Sequence, residues 1–215
     1  MAEKKSFSET RVYPIFFMII LTIVFVGVLA TFYHLTQDRV QSYKAINLQT
    51  SILTLFDLPT ENLEASYKKH IKVIDKEVEI EGETVTMRYY EASDGDKMLG
   101  YSFPVSGSGL WSTISAMLAV TPDLKEIINL EIISQNETPG LGGRIVEDWF
   151  KKQFSKKQLV QGSKISLFNL IPEKDKANSN DINQITGATA SSKAVVDMLY
   201  KDMKKISKAL GLNYE

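Results

Sequence analysis

Residues 183–193 read NQITGATASSK, and four hydroxyls, Thr186, Thr189, Ser191 and Ser192, crowd there around Gly187 and Ala188. Hydroxyls at a sharp turn can accept a phosphoryl group or hold an anion, and a glycine followed by an alanine lets another body approach the backbone closely. Downstream, Val195, Leu199, Met203, Ile206 and Leu210 recur at helical spacing, so Thr189 falls near the start of a helix. The unpaired amides of a helix start attract phosphate. The plainer use of such a residue is as an N-cap, and local spacing alone favours that use.

Two other glycine-bearing segments stand apart from ordinary core pattern, SGSGLW at 106–111 and ETPGLGGR at 137–144. Taken singly, the first reads as a loop and the second as a turn, and Asn136-Glu137-Thr138 matches a glycosylation sequon that arises easily by chance. Other chemistries are poorly provided for. There is no cysteine, which excludes disulfides, iron–sulfur ligation and thiolate catalysis by this chain. The two histidines, His34 and His70, are far apart and begin no metal-ligand pattern. A net charge of −1 over 215 residues, 44% of them hydrophobic, gives no nucleic-acid signature. No glycine-rich dinucleotide fingerprint opens a strand–helix–strand unit. Neither catalytic nor metal-ligating residues are assigned.

These segments need elements to position them. Residues 12–33, VYPIFFMIILTIVFVGVLATFY, contain no charge, and 22 helical residues span roughly 33 Å, enough to cross the hydrocarbon layer of a membrane. Tyr13 and Tyr33 lie at its two ends, where amphipathic rings favour the interface, and Pro14 falls in the first turn. Val28-Leu29-Ala30 resembles a signal-peptide cleavage site, but the apolar run exceeds a usual signal core. Lys4, Lys5 and Arg11 before the span outnumber Arg39 and Lys44 after it, which favours a cytoplasmic N-terminus at 1–11 and the bulk of the chain outside. Residues 34–60 continue as a stalk helix that Pro59 helps to end.

Beyond the stalk, residues 61–215 read as one extracytoplasmic domain. HIKVIDKEVEIEGETVTMRYYEA alternates around EGE as a β-hairpin, and MLGYSFPVSG, LWSTISAMLAV and IINLEIISQ supply more strands, the last two joined by a turn at TPDLKE. IVEDWFKKQF predicts a short amphipathic helix with Ile145, Trp149 and Phe150 inward and lysines outward. PEKDKANSNDIN, 172–183, reads as a surface loop. The fold class is α+β, with a largely antiparallel, twisted sheet flanked by helices behind a single N-terminal transmembrane helix.

In order and spacing, the single span, ETPGLG and TGAT resemble the FMN-binding subunit shared by the Rnf ferredoxin:NAD⁺ oxidoreductase (RnfG) and the Na⁺-translocating NADH:quinone oxidoreductase, Nqr (NqrC). The resemblance covers nearly the whole chain. It implies that Thr189, the last residue of the hydroxyl-Gly-Ala-Thr motif, carries FMN through a phosphoester bond made by a separate flavin transferase that uses FAD. Thr186, Gly187 and Ala188 complete that motif, and Glu137, Thr138, Gly140, Leu141 and Gly142 are then expected to shape the cavity beside the flavin ring. Trp111 is expected against the ring, where aromatic stacking adds about 0.5 to 1.5 kcal/mol; its alternative is a core tryptophan. Glu137 is expected to accept a hydrogen bond from the flavin or a backbone group, against a solvated turn carboxylate as its alternative, and Arg144 and Lys193 are candidates to screen the phosphate. One position departs from the pattern: Asn183 stands where the family commonly has an acid, with Asp181 close by.

The resemblance implies an electron-transfer subunit of an ion-translocating complex at the prokaryotic cytoplasmic membrane, without a complete active site of its own. Its implied partners are membrane lipid, a second covalent-FMN membrane subunit, iron–sulfur subunits and the flavin transferase, with Na⁺ or H⁺ pumping residing in the complex. SGSGLW is closer to the Nqr protein and the short domain to the Rnf protein, which is slightly favoured. The competing reading is a membrane-tethered assembly or binding module of the same fold without flavin.

Overall fold

After Pro14 no proline interrupts residues 15–55, and Gly27 is the one glycine among them. They belong to a single helix, α1 (Tyr13–Leu55), in the computed structural model, which describes residues 12–80, 83–162 and 164–212. The expected cytoplasmic segment 1–11, with Lys4, Lys5 and Arg11, and the Glu81-Gly82 tip of the hairpin lie outside the described residues.

The chain divides into two units, 1–46 and 47–215. In the first, the described residues are helical from Tyr13 onward, with large apolar side chains exposed all round, and the helix is long and apolar enough to cross a bilayer. Its threonines suit an apolar medium: Thr22 and Thr31 donate to the carbonyls of Met18 and Gly27 at 2.7 and 2.8 Å, so neither hydroxyl is stranded.

In the second unit α1 ends at Leu55, four residues ahead of Pro59 and short of the expected boundary. The ending is a left-handed turn. Leu58 N donates to Leu53 O, Asp57 N donates to Thr54 O, and Asp57 takes φ 54°, the conformation that usually falls to glycine after a helix. A short helix, α2 (Leu63–His70), follows; the sequence pattern gave no sign of it because it is eight residues long and mostly polar.

Five strands then form one antiparallel meander: β1 (Ile71–Ile80), β2 (Glu83–Asp94), β3 (Lys97–Ser108), β4 (Thr113–Val120) and β5 (Ile127–Ser134), paired in sequence order. Register sets Val73 opposite Tyr90, Phe103 opposite Leu118 and Leu118 opposite Leu130. Alternation along β4 feeds both faces. Ile114, Ala116, Leu118 and Val120 join a buried cluster with Val195, Leu199, Met203 and Ile206 of the last helix, α4 (Thr189–Ala209). Met117 and Ala119 join a second cluster with Ile52, Leu53, Leu55 and Phe56. Each such fully buried aliphatic side chain contributes about 1.5 to 3 kcal/mol relative to exposure, so the sheet is fixed between two apolar layers. The α+β class and the antiparallel sheet are as expected.

Other details differ from the sequence pattern. IVEDWFKKQF is not one helix: extended Glu147 (φ −67°, ψ 141°) separates a 3₁₀ helix, Gly142–Val146, from α3 (Asp148–Lys152). Lys151 is not turned outward but pairs with Glu131 at 2.9 Å, while Ile145 and Phe150 are fully buried as expected. The 172–183 segment is not wholly loop. It ends in β9 (Asp181–Asn183), which pairs in parallel with β8 (Asn169–Ile171), and a second small pair joins β6 (Val160–Gln161) to β7 (Lys164–Ile165).

Candidate functional site

Helix α4 begins without a side-chain cap. Its N-cap is Ala188, and Thr189 is the first helical residue, so the N-cap role open to Thr189 is not taken. The turn before it is closed by other groups. Ala188 N donates to Ile185 O at 2.9 Å, and Ser192 Oγ accepts from Ile185 N at 3.0 Å while donating to Ala188 O at 3.1 Å. Gly187 takes φ +78°, a conformation costly for any side chain, and a Cβ there would lie 3.1 Å from Leu141 Cδ2. The first helical bond is Ser192 N to Ala188 O, which leaves the amides of 189 to 191 without helical acceptors.

The four hydroxyls of the turn divide sharply. Ser191 and Ser192 are buried and hydrogen-bonded, Ser191 Oγ to Glu137 Oε2 at 2.6 Å. Thr186 is exposed, but its amide donates to Glu173 Oε2 at 2.8 Å. Thr189 is exposed, and among the described residues its hydroxyl has no hydrogen-bond partner.

Glu137 is 4% exposed and is no solvated turn carboxylate. Besides Ser191 it accepts from Trp111 N at 3.0 Å. Burial raises its pKa, yet the Ser191 hydroxyl and the backbone amides of residues 110 to 112 outweigh burial and hold the carboxyl below its ordinary value. The carboxylate therefore faces the protein. It ties the 109–112 loop to the first turn of α4, and the close approach leaves no room for side chains at two glycines. A Cβ at Gly109 would stand 2.5 Å from Glu137 Oε1, and one at Gly142 would stand 2.3 Å from Ser191 Oγ.

Trp111 is not a core residue: it is 71% exposed, its indole Nε1 donating to Thr138 Oγ1 at 3.1 Å. Thr138 O accepts from Leu141 N and Gly143 N, which folds the ETPGLG turn back on itself, with Gly140 at its open tip. Leu141 is 44% exposed and reaches Gly187. A continuous line of contacts thus runs from Trp111 through Thr138 and Leu141 to Gly187, Ala188 and Thr189, bringing together the three segments singled out by sequence.

Arg144 and Lys193 are committed elsewhere. Arg144 pairs with Glu147 and Glu173, both at 3.2 Å, and Lys193 pairs with Asp197. Sequence reasoning missed Glu173, whose reach to Thr186 joins residues 13 apart across an irregular segment, a relation that no periodicity reports. It also left Asn183 without a role. The Asn183 side-chain amide donates to Pro172 O and Asp175 O, each at 2.8 Å, and so braces the segment that carries Glu173. Among the described residues, no cluster of three potential metal ligands occurs.

Residues 109–204 match the FMN-binding domain family. The chain is 36% identical over 123 residues to the RnfG protein of a proton-translocating ferredoxin:NAD(+) oxidoreductase complex from Clostridium ljungdahlii, covering 57% of this chain and 62% of that one. It is 31% identical over 107 residues to the NqrC protein of the Na(+)-translocating NADH-quinone reductase of Vibrio anguillarum, covering 49% of this chain and 42% of that one. The alignments therefore span less than two thirds of these relatives' lengths. In fold, the chain is similar to the crystal structure of Shewanella oneidensis NqrC, with TM-score 0.68 and 18% identity over 75% of this chain and 93% of that one. It is similarly close to the NqrC protein of Parabacteroides distasonis, with TM-score 0.66 and 22% identity over 80% and 95%. The stretch that matches the FMN-binding domain family, residues 109–204, holds Trp111, the Glu137–Gly142 turn and the Thr186–Thr189 turn.

Proposed function

We propose that this chain is an electron-transfer subunit of a membrane-bound, ion-translocating oxidoreductase complex of the Rnf or Nqr type, and that it carries FMN in phosphoester linkage on Thr189. The observation that carries the reading is the division of hydroxyls: Ser191 and Ser192 are buried and engaged and Thr186 is held by its amide against Glu173, whereas Thr189, on the first residue of a helix, presents an exposed hydroxyl with no hydrogen-bond partner among the described residues. The residues present suit the group. Unpaired first-turn amides offset a phosphodiester charge, and exposed Trp111 and Leu141 offer apolar surface to a planar ring. Glu137 holds the Trp111 loop against α4 and does not itself face the cofactor. The flavin would supply the electron chemistry, while this chain fixes its position and surroundings.

The N-terminal helix anchors the protein in a membrane, and the basic residues flanking it support a cytoplasmic N-terminus with the flavin domain on the other side. No ionisable residue of the acidic or basic kind occurs between Val12 and Tyr33, so the helix offers no ion path and pumping belongs to partner subunits. Those partners are a second covalent-FMN membrane subunit and iron–sulfur subunits, and a flavin transferase matures this one.

The test is co-expression of the full chain with an active flavin transferase, followed by intact-mass analysis and in-gel flavin fluorescence after denaturation. Wild-type protein is expected to carry one covalent flavin and Thr189→Ala none. Colourless wild-type protein of unmodified mass would replace this reading with that of a tethered assembly module lacking flavin.

A further inference from the structure

Glu173 lies just after β8, outside the loops that carry Trp111 and Glu137, yet its carboxylate reaches the attachment turn. One oxygen accepts from the Thr186 amide at 2.8 Å. The other oxygen accepts from Arg144 Nη2 at 3.2 Å. Arg144 is fixed in turn by Glu147 and by the Trp149 ring, whose centroid lies 5.3 Å from the guanidinium carbon. Asn183 braces the Glu173 segment from below through two backbone carbonyls. The turn is therefore gripped at Thr186 by a carboxylate that Arg144 orients, on a segment that Asn183 braces.

We propose that Glu173 is a specificity-determining positioning residue for flavin attachment: anchored on Arg144, it holds the Thr186 amide, fixes the turn, and leaves Thr189 as the acceptor. This inference rests on the reading of Thr189 as the attachment residue. Attachment from FAD forms a bond between Thr189 Oγ1 and phosphorus and breaks the P–O bond to the AMP half. The hydroxyl proton passes to the transferase or solvent, and nothing is oxidised or reduced. Thr189 gives up no hydrogen bond to react. Thr186 is held through its amide against Glu173, and a carboxylate already paired with a guanidinium is a weak base toward its hydroxyl. In keeping with that weakness, the Thr186 amide and hydroxyl, with Arg144 beside them, hold the Glu173 carboxyl down at about 2.

The experiment supplies the purified full chain to a flavin transferase with FAD and follows both the rate of covalent labelling and the labelled position by peptide mass mapping. Wild type is expected to be labelled on Thr189. Glu173→Ala is expected to be labelled about tenfold more slowly or worse, as misplacement of a reacting group predicts, with part of the label moved to Thr186. Glu173→Asp, which keeps the charge, should recover part of the rate, and melting curves of the variants report folding separately. Labelling of Glu173→Ala at the wild-type rate and wholly on Thr189 overturns the proposal. If Glu173→Ala does not fold, Glu173→Gln decides, since it keeps the volume but loses the Arg144 pair; wild-type rate and position in that variant overturn the proposal equally. Unlabelled wild type, or a Thr189→Ala variant labelled like wild type, removes the Thr189 reading itself and the inference with it.

Discussion

Ser191 Oγ donates to Glu137 Oε2 at 2.6 Å, a fully buried bond between residues 54 apart in sequence. Through it the first turn of α4, which presents Thr189, is joined to the carboxylate that holds the Trp111 amide. Ser191→Ala leaves that buried oxygen short of a donor, at an expected cost of about 1 to 3 kcal/mol in chemical denaturation. Wild-type stability in Ser191→Ala would mean the bond contributes nothing net.

The same carboxylate gives the domain a pH dependence of definite sign. Glu137 has its folded pKa depressed, because its hydrogen bonds outweigh the burial that opposes them. Its stabilisation is thus complete above the ordinary glutamate value and is lost as pH falls below that value through the folded one. Stability measured from neutral pH into the acid range is expected to fall less steeply in Glu137→Gln than in wild type, and parallel curves would assign the acid loss to other groups.

Glu173 titrates under a different influence, the Thr186 amide first, then the Thr186 hydroxyl and Arg144. A carbon-detected NMR titration should place its midpoint near 2, so its grip on the turn persists through the mildly acidic range and fails only as pH approaches 2. Arg144→Ala should move that midpoint upward. An unmoved midpoint would show that the arginine does not tune the carboxylate.

Much of this arrangement was legible in the sequence where periodicity carries information. The helical spacing of Val195, Leu199, Met203 and Ile206 marked the buried stripe of α4, and alternation marked the β1–β2 hairpin. The exposure of Trp111 was not legible, because a tryptophan beside Gly-Ser-Gly reads alike as core or surface until the Glu137 carboxylate is seen to take its amide. The break at Glu147 was hidden as well, since no proline or glycine marks it and apolar Ile145, Trp149 and Phe150 keep helical spacing across it. Glu173 and Asn183 act through single contacts between irregular segments, and such contacts leave no pattern along the chain.

Gly142 permits the closest approach in the site. A Cβ there would stand 2.3 Å from Ser191 Oγ and 3.0 Å from Glu137 Cβ, so Gly142→Ala must push either the ETPGLG turn or the start of α4 aside. Overpacking of this kind costs about 1 to 3 kcal/mol. Thermal denaturation is expected to register that loss, together with slower flavin labelling of the folded protein. An alanine variant as stable as wild type would mean that the turn relaxes freely.

Asn183 makes the sharpest contrast between motif and structure. The motif invites Asn183→Asp as a restoration of the missing acid, but the side-chain amide here donates at 2.8 Å to both Pro172 O and Asp175 O. An aspartate cannot donate, and its charge would face two carbonyl oxygens, so the strap carrying Glu173 loses its brace. Two lost hydrogen bonds of ordinary strength correspond to about 1 to 3 kcal/mol. Asn183→Asp is therefore expected to lower stability in denaturant titration and to slow covalent labelling, because Glu173 already supplies a carboxylate to the Thr186 amide. Faster labelling in Asn183→Asp would show instead that the acid acts at position 183 itself and that Glu173 does not stand in for it.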